Sequence, residues 1–154
     1  MPDPTVVDGN NMTYRSLRKN GWKYSLVGDH AYQVPVYPQK KVQYPSKDPF
    51  VSLDSQGLLW FKSGYNWDGA SGLTFDTQSS MRGALKHDGL YQLMRAGVLP
   101  VSWRERADEV LRDTCIADGM WGWRANMWFR AVRSFAGFAA VKGHDVAEDV
   151  LVAP

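Results

Sequence analysis

Prolines in the first half of the chain exclude a helix over a long stretch and so constrain the fold. Pro38, Pro45 and Pro49 each remove a backbone donor and clash with a helical turn. Pro35 lies in an otherwise extended segment and favours the edge of a sheet, because it cannot donate to a neighbouring strand. This half of the chain therefore has to fold as strands and turns.

Alternation of apolar and polar residues indicates where those strands lie. Residues 21–26 and 31–37 have the period of two that is typical of strands. Residues 50–53 and 58–62 flank a four-residue turn that ends in glycine, which predicts a β-hairpin with Trp60 pointing inward. The first half thus predicts a small, mostly antiparallel β unit.

Helical spacing of apolar residues replaces this alternation in the second half. It predicts three helices, over about residues 80–96, 102–117 and 121–141, each followed by a glycine. Ser102 and Glu105 have the spacing of a capping box at the start of the second helix. The apolar stripe of the third helix predicts burial of Met127, Trp128, Ala131, Phe135 and Phe138. Strands followed by helices predict an α+β fold.

The length of the chain, 154 residues, suggests one domain. We expect an extended arm over residues 1–20, which are rich in turn-forming residues, and a single α+β domain over residues 21–142. Its β part covers residues 21–71 and its helical part residues 79–142. Residues 143–154 are expected to form a loose tail.

The charge of the chain is small and evenly spread. The net charge is +2, and residues 1–76 and 77–154 each contribute +1, so there is no basic half of the kind that binds nucleic acid. Residues 121–142 are a local exception, with four basic side chains and no acid. This bias is typical of a solvated helix face, and contact with an anionic surface is the alternative.

Cysteine content and hydropathy bear on where the protein works. The one cysteine, Cys115, cannot form an internal disulfide, so we expect a small core residue in a protein of a reducing compartment. The first residues lack the regions of a signal peptide, and no apolar run is long enough for a transmembrane helix. His30 lies in a turn-like segment, which predicts a surface position.

The stretch from Ala84 to Tyr91 places a histidine in an apolar helical stripe. On a helix, His87 and Tyr91 share one face, whereas Asp88 points about 100° further round. Two helices joined by a short connection usually pack antiparallel, which brings Asp108 of the next helix to the height of His87. A carboxylate on one imidazole nitrogen fixes the tautomer and leaves the other nitrogen free to act as a base.

Two carboxylates and a glycine-rich loop suggest a cation site. Asp68 lies in a loop whose glycines can turn backbone carbonyls inward, and Asp88 is the second carboxylate. Oxygen ligands of this kind suit Ca²⁺ before Mg²⁺, whereas the clustered His and Cys residues of a zinc site are missing. An Asx-turn at Asp68 is the structural alternative.

Three motifs, taken in order, resemble those of a phage and prophage family. They are Trp67-Asp68-Gly69-Ala70-Ser71, His87-Asp88-Gly89-Leu90-Tyr91 and Ala107-Asp108. Over about residues 58–137 the chain resembles the domain-of-unknown-function family numbered thirteen fifty-three, in which Asp-Gly-Ala-Ser precedes a helix with His-Asp-x-x-Tyr and a later Ala-Asp. The resemblance implies a phage or prophage origin and no particular activity.

The same helix is similar to the His-Asp core of bacterial secreted phospholipases A-two. In those enzymes a histidine activates water, the next aspartate and a glycine-rich loop bind calcium, and a distant aspartate orients the histidine. The resemblance implies that His87 is the base, that Asp88 and Asp68 are calcium ligands, and that Asp108 is the orienting group. It also implies a hydrogen bond between Tyr91 and Asp108.

Three functions remain open, and only one of them is enzymatic. The first is a virion or tail subunit that is made in the host cytoplasm, with virion proteins or copies of itself as partners; His87 and Asp108 then belong to a structural hydrogen-bond network. The second is a phage hydrolase that acts on a lipid ester or peptidoglycan of the cell envelope with a Ca-type cation. The third is a small intracellular effector that binds a host protein. The Pro-rich segment and the high aromatic content favour the virion role.

Overall fold

The structure, a computed structural model, describes residues 12–16, 24–67 and 78–135. Antiparallel sheets occupy the N-terminal half and three helices the C-terminal half, so the predicted α+β class is confirmed. The described residues fall into two compact units, a β unit and a helical unit. The loop around Asp68, most of the predicted arm and the predicted tail (residues 143–154) lie outside the described residues.

Seven short strands make up the described part of the β unit. They are β1 (Tyr14–Ser16), β2 (Tyr24–Leu26), β3 (His30–Gln33), β4 (Val42–Tyr44), β5 (Val51–Leu53), β6 (Leu58–Phe61) and β7 (Asn66–Trp67). One sheet has the strand order β1-β2-β7 and the other has the order β3-β6-β5-β4. Each of these pairings is antiparallel, as the sequence predicts.

Strand β1 was not predicted, and it lies within the segment expected to form an extended arm (residues 1–20). Tyr14 pairs with Leu26 of β2, although the segment around it has no alternating pattern. An aromatic cluster gives the reason, because the Tyr14 ring lies 5.6 Å from the ring of Tyr24 and 5.9 Å from that of Trp67, measured between centroids. Contacts of this kind stabilise a strand that has no local signal of its own.

The predicted hairpin is confirmed between β5 and β6. Asp54 shapes its turn, because its Oδ1 accepts hydrogen bonds from the backbone N–H groups of Gln56 and Leu58, each at 2.9 Å. Gly57 has a φ of 83°, and a Cβ at this position would collide with the carbonyl oxygen of Val34. The turn therefore depends on a glycine at its last position.

Two predictions about side chains of the β unit are wrong. Trp60 is only half-buried, because the period of two turns Leu59 and Phe61 into the core and Trp60 to the opposite face. His30 is buried rather than on the surface. It lies in β3, and its Nε2–H donates a hydrogen bond to the carbonyl oxygen of Val27 at 3.0 Å.

Three helices form the described part of the helical unit. They are α1 (Gln78–Arg95), α2 (Arg104–Ala117) and α3 (Gly122–Phe135), close to the predicted ranges. Gly97 and Gly119 follow α1 and α2 with φ values of 76° and 99°, as expected for glycines that end helices. Among the described residues, no helix is both long enough and apolar enough to cross a membrane.

The predicted capping box at the start of α2 is wrong. Val101–Trp103 form a 3₁₀ turn that leads directly into α2, so Ser102 lies within a helical turn rather than before one. No side chain caps the turn at Pro100 or the helix at Trp103. The chain thus enters α2 from a preceding turn and not from a capping residue.

Contacts between α1 and α2 show that these helices are antiparallel. His87, in the middle of α1, pairs with Asp108 near the start of α2. Arg82, which lies earlier in α1, pairs instead with Asp118, just after the end of α2. Since residues earlier in α1 meet residues later in α2, the two helices run in opposite directions, as the short connection predicts.

Helix α3 packs on α2 through an apolar core. This core consists of Leu111, Cys115, Met120, Ala125, Trp128 and Val132. The buried positions of α3 recur at 125, 128 and 132, which turns Met127 outward, so the prediction that Met127 is buried is wrong. Trp128 is buried as predicted and Ala131 is half-buried, whereas the side chains of Phe135 and Phe138 lie outside the description.

Gly83 of α1 permits a close approach of α2. A Cβ at this position would lie 2.9 Å from Cys115 Sγ and 3.0 Å from the carbonyl oxygen of Leu111. We expect Gly83→Ala to lower the free energy of unfolding by about 1–3 kcal/mol, because the added carbon overpacks the interface. Denaturant unfolding of the variant measures this loss. The higher helix propensity of alanine acts in the opposite direction and offsets part of it.

Gly122→Ala is the matched control for this experiment. Gly122 begins α3, and a Cβ there would meet no atom within 4 Å. We expect this substitution to be neutral or slightly stabilising. Equal effects of the two substitutions would show that Gly83 does not set the distance between α1 and α2.

Candidate functional site

The candidate site centres on Asp108, whose side chain has an exposed fraction of 0%. Asp108 lies in α2, the helix that packs against both others. His87 and Tyr91 come from α1, where a spacing of four residues places them on one face. Arg133 comes from α3. These four residues, here called the Asp108 cluster, all belong to the helical unit.

Each of the other three members donates a hydrogen bond to Asp108. Nε2–H of His87 donates to Oδ1 at 2.8 Å, and the Tyr91 hydroxyl donates to the same oxygen at 2.6 Å. Nη1 of Arg133 donates to Oδ2 at 3.1 Å. The structure therefore brings His87, Tyr91 and Asp108 together as helix spacing and the phospholipase resemblance predict.

Arg133 is the member that sequence reasoning missed. Its basic neighbours favour a solvated helix face, and the local pattern holds no sign of a buried partner. The useful signal is indirect, because a buried carboxylate is usually paired with a positive charge. Only the packing of α3 on α2 identifies Arg133 as that cation, with its side chain 30% exposed.

Asp88 lies at the rim of the cluster. The sequence predicts that it points away from His87, but its Oδ1 lies 3.8 Å from His87 Nδ1. The turn of about 100° between adjacent residues separates their Cβ atoms, and rotation of the two side chains closes that gap. Asp88 is 32% exposed. Both ring nitrogens of His87 thus face a carboxylate, one buried and one partly in solvent.

Burial and charge act in opposite directions on the pKa of His87. Burial lowers this pKa, but the hydrogen bonds and negative charges of Asp108 and Asp88 outweigh burial and raise it above its usual value. Burial raises the pKa of Asp108, and hydrogen bonds from His87, Tyr91 and Arg133 outweigh that effect and lower it. Burial, and then the Asp108 carboxylate, raise the pKa of Tyr91.

These shifts favour an ionised cluster. At a pH near the pKa of a free histidine, His87 is therefore protonated to a greater extent than a free histidine is. A protonated His87 pairs its positive charge with the buried Asp108 carboxylate. An imidazolium with two carboxylate neighbours can donate a proton, but it has no free electron pair with which to accept one from water.

The calcium site predicted from Asp68 and Asp88 stays a prediction. Asp68 lies outside the described residues. Within residues 12–16, 24–67 and 78–135, no group of three or more His, Cys, Asp or Glu side chains is arranged to hold a metal ion. Asp88 alone cannot form a calcium site, because Ca²⁺ takes six to eight oxygen ligands.

Comparison with known proteins adds no relative to this picture. No family model matches the chain, no curated protein matches it, and no solved structure matches it. The phage family and phospholipase resemblances therefore rest on the residues that carry them.

Asp108→Asn tests how strongly the cluster stabilises the fold. The substitution leaves His87 and Arg133 without a buried counter-charge, so we expect a loss of about 3–5 kcal/mol in the free energy of unfolding. Denaturant unfolding measures it. Asp113→Asn is the control, because Asp113 is an exposed acid on the same helix and its loss should change stability by less than about 0.5 kcal/mol. Similar values for both variants would contradict a stabilising cluster.

The pH dependence of stability tests the protonation of His87. A raised pKa in the folded state contributes stability that is complete below the unfolded pKa of about 6.5 and disappears as the pH rises through the folded value. The lowered pKa of Asp108 contributes stability above about pH 3.9 that disappears as the pH falls through the folded value. We expect the stability difference between wild type and His87→Gln to be largest between about pH 4 and pH 6.5.

This difference should shrink steadily towards alkaline pH. Urea unfolding of wild type and His87→Gln from about pH 4 into the alkaline range provides the measurement. Asp113→Asn, which changes an exposed acid of the same helix, is the control variant. A difference that instead grows towards alkaline pH would mean that His87 is neutral in the folded protein.

Proposed function

We propose that the protein has a structural or assembly role, in which the Asp108 cluster joins three helices and performs no chemistry. One observation supports this proposal. Asp108 is completely buried, and one of its carboxylate oxygens accepts hydrogen bonds from α1 while the other accepts from α3. A general base needs a nitrogen within reach of substrate or water and free to accept a proton. The arrangement around His87 favours an ion pair instead.

A virion or tail is the setting that we propose for this role. The resemblance of the Asp-Gly-Ala-Ser, His-Asp-x-x-Tyr and Ala-Asp motifs to a phage and prophage family supports it. The partners would be other virion proteins or further copies of the chain. The protein would then be made in the host cytoplasm and recovered with the particle.

A cell-envelope hydrolase is the second candidate, because one feature of the geometry favours it. The 2.8 Å contact between His87 and Asp108 is the contact that orients a catalytic histidine, and Asp88 lies next to the other ring nitrogen. If Asp68 and Asp88 held a calcium ion, charge on Asp88 would be neutralised and Nδ1 could act as the base. The substrate would be a lipid ester or peptidoglycan.

Thermal unfolding with calcium and with chelator distinguishes these two functions. The structural role predicts no calcium shift and a lower midpoint for His87→Gln by about 2–4 °C per kcal/mol lost. It predicts a smaller decrease for Asp88→Asn, which removes a charge at the rim of the cluster. The hydrolase predicts a higher midpoint with calcium that Asp88→Asn abolishes. It also predicts that His87→Gln stays folded and loses lipid or peptidoglycan hydrolysis.

Particle sedimentation tests the setting separately. The protein should sediment with virions from a phage lysate, and Asp88→Asn should sediment equally well. Recovery of the wild type in the particle-free fraction alone would contradict a virion role even if the cluster proves to be structural.

A further inference from the structure

Helix α3 exposes a row of large apolar and cationic side chains. Trp123, Met127 and Arg130 follow one another at intervals of four and three residues, which places them on one face. Trp121 precedes the helix at the same end as Trp123. Trp121, Trp123 and Met127 are exposed by 72%, 64% and 46%. These four residues are here called the α3 stripe, and they lie opposite the buried residues of the helix.

The two indoles of the stripe lie side by side. The ring centroids of Trp121 and Trp123 are 6.3 Å apart, with an angle of 54° between the planes. A hollow of about 480 Å³ opens next to them, and Met120 and Met127 contribute to its lining. Adjacent exposed aromatics of this size mark a surface that contacts something else.

The charge around the stripe is positive. The described part of α3 contains Arg124, Arg130 and Arg133 and no acidic residue. Arg133 pairs with Asp108, so Arg124 and Arg130 provide the positive charge of α3 near the stripe. The nearest acids earlier in the chain are neutralised within the helical unit: Asp113 by Arg112 at 2.9 Å, and Asp118 by Arg82 at 2.6 Å. A partner that complements this surface carries negative charge and accommodates indole rings.

We propose that the α3 stripe binds an anionic lipid surface, with α3 parallel to the bilayer plane. The stripe is straight and extends from aromatic rings at one end to Arg130 at the other, so a planar partner contacts all of its members at once. Tryptophan is favoured at the level of the lipid headgroups, where one part of the ring is apolar and another polar. Arginine near the bilayer adds attraction to anionic lipid. The proposal holds whether the Asp108 cluster is structural or catalytic.

Vesicle flotation of the full chain tests this binding. We expect binding to vesicles of phosphatidylglycerol and phosphatidylcholine in equal parts, weak binding to phosphatidylcholine alone, and a blue shift of tryptophan fluorescence on binding. Trp121→Ser combined with Trp123→Ser should weaken binding at least tenfold, because each indole loses its apolar contact with the bilayer. Arg130→Gln should weaken it about fivefold at low salt and less at high salt.

Val101→Ser is the matched control. Val101 is also an exposed apolar residue of the helical unit, at 55%, but it lies at the other end of α2. This variant should bind like the wild type, and circular dichroism should show all variants folded. Equal binding to both vesicle types, no binding to either, or equal loss in Val101→Ser would overturn the proposal. Failure to bind vesicles combined with crosslinking to an acidic protein would assign the stripe to a protein partner instead.

Discussion

The buried carboxylate of Asp108 is the interaction on which the helical unit depends. A carboxylate removed from water is costly unless its charge is paired and its oxygens are hydrogen-bonded. Oδ1 accepts from α1 and Oδ2 accepts from α3, so one side chain specifies the position of two helices along a third. The apolar core around Trp128 stabilises the same packing without directionality. A slip of one helical turn, about 5.4 Å, would preserve apolar contact but separate Asp108 from its donors.

Local sequence patterns predict the three helices, four of the seven described strands and most of the cluster. Helical spacing placed His87 and Tyr91 on one face, and a short connection brought Asp108 to their height. The features that the sequence did not predict depend on packing between elements. Arg133 is a partner of Asp108 because α3 crosses α2 at that residue. Met127 points outward because positions 125, 128 and 132 form the buried face of α3. Strand β1 was missed because its aromatic partners are distant in sequence.

The geometry of the cluster also explains the motif spacing without reference to chemistry. His-Asp-x-x-Tyr places a ring nitrogen and a hydroxyl on one helix face, and a later aspartate on the next helix accepts from both. A shared helix junction is therefore enough to account for the three positions His87, Tyr91 and Asp108. Asp88 differs from them, because it lies at the rim, partly in solvent, with its Oδ1 3.8 Å from Nδ1 of His87. Asp88 is therefore the residue whose role differs most between a structural and a catalytic function of the motif.

The reactivity of the buried thiol of Cys115 reports how often the helical unit opens. It is the one cysteine of the chain, it is fully buried in the core between α2 and α3, and it lies close to Gly83 of α1. Burial, with a smaller effect of the Asp118 charge, raises the pKa of its thiol to about 12. Alkylating reagents attack an exposed thiolate, so they can modify this side chain only when the helices separate. The rate of alkylation of the native protein therefore records how often the three helices open.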